Sequence, residues 1–103
     1  MRLEINKFYY KPLPNCITIK ESKIEGLGIF ATEDIEARYD FGAGWIKVPM
    51  IIGFVRTPVG GFINHSKKPN CIITELINWD DYKVYNLISL RKIKKDQELT
   101  VYY

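Results

Sequence analysis

The chain is 103 residues long, about 12.1 kDa, with 47% hydrophobic residues, 26% charged residues and a formal net charge of +3. These figures describe a single folded domain over residues 1–103 and argue against a disordered chain, a collagen-like chain or a disulfide scaffold. No run approaches the roughly 20 apolar residues of a membrane span, and the first residues lack a secretion signal. An intracellular protein with Cys16 and Cys71 as reduced thiols is therefore expected, with no membrane partner.

Fifteen Ile, five Val and five Thr stand against three Ala. β-branched side chains are stiff at χ1 and suit a pleated surface, so the composition predicts a mostly β fold. In chain order, Cys16-Ile17-Thr18-Ile19-Lys20 alternates as a short strand, and Glu25-Gly26-Leu27-Gly28 reads as a turn. A second strand resumes over residues 29–32. Residues 34–58 are irregular in pattern and take no assignment beyond an apolar run at residues 51–55, fenced by Pro49 and Pro58. Residues 71–77 and 83–90 form a hairpin around Asn78-Trp79-Asp80-Asp81. Lys94-Lys95-Asp96-Gln97 is a further polar turn, and residues 98–103 make a terminal strand with Leu99, Val101 and Tyr103 on one face.

The charge is unevenly placed. From Phe41 to Thr74 the chain has no Asp or Glu across 34 residues, yet it carries Lys47, Arg56, Lys67 and Lys68. This pattern fits either four solvated cations or a cleft kept clear of carboxylates for an anionic group. Arg91, Lys92, Lys94 and Lys95 form a second basic cluster, which reads as a solvated turn or as a footprint for a polyanion. The small net charge does not by itself argue for nucleic acid.

Three motifs carry chemistry. Gly26-Leu27-Gly28-Ile29-Phe30-Ala31 matches the spacing of a dinucleotide fingerprint, but no helix pattern follows and the expected acid falls in the acid-free span. What the two glycines offer is backbone without a Cβ, against which a ligand can lie. Asn64-His65-Ser66 followed by Pro69-Asn70-Cys71 is a dense polar loop holding the sole histidine. Cys71 with His65 would be a thiol and a base, but no cysteine-protease signature surrounds them. Cys16, His65 and Cys71 lack a metal-ligand spacing, so no metal is expected.

Taken in this order, the pieces resemble the SET-domain family of protein-lysine methyltransferases. Ser22 to Ala31 resembles its first motif, Phe62-Ile63-Asn64-His65-Ser66 with Pro69-Asn70 its central motif, and Ile93 through Glu98-Leu99-Thr100-Val101-Tyr102-Tyr103 its closing motif. The small size most resembles the minimal stand-alone SET proteins of viruses and phages. Departures are visible. Asp96-Gln97-Glu98 replaces the family's usual Gly-Glu-Glu, Gly61 stands where Arg is frequent, and the family's second motif has no clear counterpart.

The resemblance implies a β-clip-like fold of short strands in small sheets with a knot-like C-terminal segment. It implies S-adenosylmethionine as cofactor and a protein substrate, a histone or another lysine-bearing tail or loop. Tyr103 is implied as the catalytic hydroxyl near the transferring methyl. Gly26, Leu27 and Gly28 would contact the donor through backbone, with Asn64 and His65 beside them and Arg56 as a candidate for the donor's carboxylate. Phe62, Tyr39 and Trp45 are candidates for the aromatic wall of a lysine channel. The segment that follows the catalytic tyrosine in many relatives is absent here, so a second copy of the chain could complete the channel. Two other functions fit the residues: a SET-shaped binding module without turnover, and a small basic β-domain that contacts nucleic acid.

Overall fold

The computed structural model describes residues 13–50 and 52–102. Strands dominate it: β1 (Ile17–Glu21), β2 (Leu27–Ala31), β3 (Asp40–Lys47), β4 (Val55–Arg56), β5 (Asn64–His65), β6 (Cys71–Trp79), β7 (Tyr82–Ser89) and β8 (Glu98–Val101). One short helix, α1 (Pro58–Phe62), lies between β4 and β5. They form two four-stranded sheets, ordered β1-β2-β8-β5 and β4-β3-β7-β6. The expected mostly β arrangement of small sheets is thus present.

β1 and β2 pair antiparallel from Ile17↔Ala31 to Glu21↔Leu27. The strand after the glycine turn begins at Leu27, two residues earlier than the alternation suggests. Ser22 is the reason, because its N–H donates to Gly26 O at 2.8 Å and closes the loop before Leu27. Gly26 sits at φ +47°, a left-handed conformation that glycine adopts without a Cβ penalty. The hairpin of β6 and β7 is longer and tighter than expected. Its turn contracts to Asp80 and Asp81, both at positive φ, which matches the right-handed twist of the flanking strands. Asn78 and Trp79 therefore belong to β6.

The irregular section resolves into β3, β4 and α1. Gly42, at φ +91°, lies within the first of two register shifts where β3 bulges against β7, so the alternation of a regular strand is broken. The apolar run at 51–55 does not enter the core. Ile51 lies outside the described residues, Ile52 is fully exposed, and only Val55 joins a strand, with Arg56. α1 is seated on β3 by close backbone approach. Thr57 N–H donates to Gly44 O at 3.0 Å, its Oγ1 donates to Ala43 O at 2.7 Å, and a Cβ on Gly60 would run into Gly44 O.

β8 lies at the centre of its sheet. It pairs antiparallel with β2 through Ile29↔Leu99 and Phe30↔Glu98, and parallel with β5 through Asn64↔Thr100 and His65↔Val101. Leu99, Thr100 and Val101 are all buried, so both faces of the strand are covered rather than one. Asn70 clamps it: its Nδ2 donates to Glu98 O at 2.8 Å and its Oδ1 accepts from Thr100 N–H at 2.9 Å. The core gathers Ile29, Leu87, Ile93, Leu99 and Val101 with Phe41, Trp45 and the two cysteines.

Two predictions follow from this packing. Asn70→Ala orphans a carbonyl and an N–H on a buried strand, and should cost about 2–4 kcal/mol in denaturant unfolding. Burial pushes the Cys71 thiol from 9.0 up to about 12. The folded chain keeps a proton that the unfolded chain begins to lose near pH 9, so stability should fall as pH rises from there toward 12. A Cys71→Ala variant should show a shallower fall across the same range in denaturant titrations.

Candidate functional site

The glycine turn and the Asn64-His65 segment meet beside β8. Asn64 makes the junction. Its Nδ2 donates to Glu25 O and Leu27 O, each at 3.2 Å, and lies 2.9 Å from Glu98 Oε2. From the other side, the Ser22 hydroxyl donates to the Glu98 carboxylate, 2.8 Å from Oε1 and 2.9 Å from Oε2. The same hydroxyl oxygen accepts the Ile24 N–H at 2.9 Å, a local turn that holds the loop.

The two glycines face different surroundings. A Cβ on Gly26 would meet nothing within 4 Å, so the loop presents an open backbone face there. A Cβ on Gly28 would collide with Glu98 Oε2 and lie 3.1 Å from Asn64 Nδ2. Leu27, between them, is half exposed. His65 is exposed at the end of β5, with its ring centroid 5.0 Å from that of Tyr102. The turn thus presents an open backbone face, and the His65 and Tyr102 rings lie against each other at the end of β5.

The fold therefore brings Asn64 against the turn of Gly26, Leu27 and Gly28, with His65 next to it on β5. Tyr103 lies outside the described residues. Arg56 stands elsewhere: it pairs with Trp45 across β4 and β3 and borders a cavity of about 280 Å³ with Trp45, Phe54 and Tyr85. Trp45 is mostly core, 6% exposed. Tyr39 lines a different cavity of about 740 Å³, edge-on to Phe41 at 4.9 Å. A hydrogen bond with the Cys16 thiol is the main cause that raises the Tyr39 phenol above its ordinary value. Phe62 ends α1, two residues before Asn64, and is partly exposed. The three aromatic candidates thus stand at separate places, and Phe62 alone is close in sequence to Asn64, which bonds to the glycine turn.

Other sequence features settle quietly. Cys71 is buried with a raised thiol while His65 is exposed on β5, an arrangement without the lowered thiol that a cysteine nucleophile needs. Lys47, Arg56, Lys67 and Lys68 are spread over β3, β4 and the loop after β5. Arg91, Lys92, Lys94 and Lys95 are exposed around a turn closed by Gln97 N–H donating to Lys94 O at 3.0 Å. Sequence reasoning missed Ser22 and Glu98 as site residues, although both stand inside the quoted motifs. Their contact spans 76 positions, and no local spacing announces it.

The architecture is that of a known class of small β proteins. It matches a crystal structure of a Plasmodium falciparum protein provisionally named a histone methyltransferase, with TM-score 0.72 and 20% identity, covering 87% of this chain and 94% of that one. In all, 127 chains of solved structures match, and no curated protein does. The SET domain family profile matches residues 43–103, more than half of the chain, and the chain belongs to that family. Proteins of this family are in general protein-lysine methyltransferases that use S-adenosylmethionine.

The difference between the two glycines is testable. Gly28→Ala should lower the unfolding temperature more than Gly26→Ala, because its Cβ would displace the Glu98 carboxylate and with it the bonds to Ser22 and Asn64, although Gly28 has no left-handed φ of its own. Gly26→Ala should cost only about 1–2 kcal/mol for its left-handed φ. Thermal unfolding of the two variants checks the order.

Proposed function

We propose that the protein transfers a methyl group from S-adenosylmethionine to the side-chain amine of a lysine in a protein substrate. The observation that carries this reading is the bridge made by Asn64, which ties the glycine turn to the Asn64-His65 segment beside the strand that leads to Tyr103. Membership of the SET domain family supports it.

Bound S-adenosylmethionine supplies a methyl activated by a sulfonium, which a neutral lysine amine takes in line while the sulfur leaves as a thioether. Everything else falls to the protein. Gly26, Leu27 and Gly28 offer their backbone to the donor, and Asn64 and His65 flank it on β5. His65 is a binding and structural residue here, not a base. Arg56, in the other sheet beside Trp45, is left out of the donor contacts.

The amine must reach the site without its proton. From a reference pKa near 10.4, deprotonation at about pH 7.4 costs roughly 4 kcal/mol. A dry channel beside a cation lowers that cost by disfavouring the ammonium form. Aromatic walls pack the lysine stem and exclude water, the role proposed for Phe62, while Tyr39 and Trp45, which line other cavities, are left out of it. The Tyr103 hydroxyl orients the amine and the methyl, and positioning of this kind supplies much of the rate. The substrate is a lysine-bearing tail or loop, of a histone or another protein.

Tyr103→Phe should remove most transfer while calorimetric binding of S-adenosylhomocysteine persists. Labelled donor incubated with lysate protein, followed by mass spectrometry of the modified lysine, measures the first quantity. Near-normal turnover in Tyr103→Phe would remove that residue from the mechanism. A wild-type protein that neither binds donor nor transfers label would overturn the reading.

A further inference from the structure

Glu98 is the first residue of β8 and has an unusual set of partners. Its carboxylate is partly buried, and its side-chain bonds come from two neutral groups, the Ser22 hydroxyl and the Asn64 amide. Among the described residues no Lys or Arg forms an ion pair with it. The carboxylate occupies the space that Gly28 leaves without a Cβ. The second glycine of the pair therefore makes room for an internal side chain.

The two partners of Glu98 each hold the glycine turn. Ser22 opens the loop, accepts the Ile24 N–H through its hydroxyl oxygen and closes on Gly26 O through its own N–H. Asn64 grips the carbonyls of Glu25 and Leu27, on either side of Gly26. Its amide has two hydrogens and three acceptors, so the N–H groups are fully committed. An acceptor at Glu98 also fixes which way that amide faces, because a carboxylate can only accept. The open face at Gly26 is thus held from both ends, and both ends are tied to one carboxylate.

We infer that Glu98 is a positioning residue for the donor site: its carboxylate cross-links Ser22 and Asn64 and so sets the shape of the Gly26 turn. The inference rests on the donor-binding reading above, since it concerns the same turn. Glu98 does not touch the donor in this account, and it acts through the turn and through Asn64. Loss of the carboxylate frees the Ser22 hydroxyl and lets the Asn64 amide rotate, and the Gly26 loop then samples other conformations. Donor affinity falls because the ordering that Glu98 supplies in advance must be recovered on binding.

The test uses the full chain in two measurements. The first is amide hydrogen exchange without ligand, on wild type, Glu98→Gln, Glu98→Ala and Ser22→Ala. Exchange at Ile24 and its neighbours in the loop should accelerate about tenfold in each variant, the effect of losing roughly one hydrogen bond's worth of protection. Protection in the β6–β7 hairpin should be unchanged. The second is calorimetric binding of S-adenosylhomocysteine, which should weaken at least about tenfold in Glu98→Gln. In turnover, KM for the donor should rise while KM for the protein substrate and kcat at saturating donor stay near wild type, a split that general destabilisation would not give. The double variant Ser22→Ala/Glu98→Ala should lose no more than the worse single variant, because the two residues act as one unit.

If Glu98→Ala does not fold, Glu98→Gln and Ser22→Ala decide the question. A folded Glu98→Gln with wild-type exchange in the loop and wild-type affinity overturns the inference. Wild type that binds no S-adenosylhomocysteine overturns the functional reading and the donor half of the inference with it, while exchange in the ligand-free protein still decides the cross-link.

Discussion

The fold depends on one strand having no free edge. β8 is bonded by β2 on one side and by β5 on the other, and its middle residues are buried on both faces. β5 runs parallel to it, and parallel neighbours cannot be joined by a tight turn. The long β6–β7 hairpin lies between them in the chain, so the link from β5 to β8 passes through the second sheet. Asn70 stands at the start of that excursion and bonds back onto β8 from its buried amide. The proposed site draws on the loop that opens β2, on β5 and on Glu98 of the strand between them. Residues of β2 and β5 come within reach of each other because β8 sets their spacing.

The second sheet contributes by fixing where β5 begins. β3 bulges at Gly42, and its Gly44 lets α1 lie close enough for Thr57 to bond to two carbonyls of β3. α1 ends at Phe62, and Ile63 is buried immediately after it. The chain therefore enters β5 from an anchored residue, which leaves Asn64 little freedom in direction. Small residues at Gly44 and Gly60 permit the close backbone approach, and the buried face of Trp45 covers it. Trp45 is accordingly more a part of the packing that seats α1 than the channel wall its aromatic character suggested.

Much of this was legible before the fold was known. The first strand, the long hairpin, the Lys94–Gln97 turn and the strand that begins at Glu98 follow from alternation and turn chemistry, while the burial of both its faces does not. β3 was not, because Gly42, Ala43 and Gly44 have poor strand propensity and a bulge destroys the period of two. α1 was not, because five residues with two glycines carry no helical period. At the site, Asn64 bonds to the carbonyls on either side of Gly26, so two of the motifs are neighbours. Tyr39, Trp45 and Arg56 do not join them, since an aromatic or cationic residue in an unpatterned stretch has no spacing to fix its place. Glu98 and Ser22 escaped notice for a different reason: their pairing is created by strand order, and no local sequence rule encodes which strands are neighbours.

The two glycines show what a short motif can conceal. Read as a spacing, Gly26-Leu27-Gly28 suggests one job done twice, with both glycines cleared for a ligand. Their surroundings differ. Gly26 needs glycine for its backbone angle and leaves an open face, while Gly28 needs glycine because a carboxylate from β8 fills the room. A side chain at Gly26 would strain the loop and project into open space, whereas one at Gly28 would first displace Glu98. The same small residue, two positions apart, is required once by conformation and once by internal packing. Loss of donor binding on changing Gly28 would therefore not show that Gly28 touches the donor, because displacement of Glu98 would release the Ser22 and Asn64 anchors of the turn proposed to hold it.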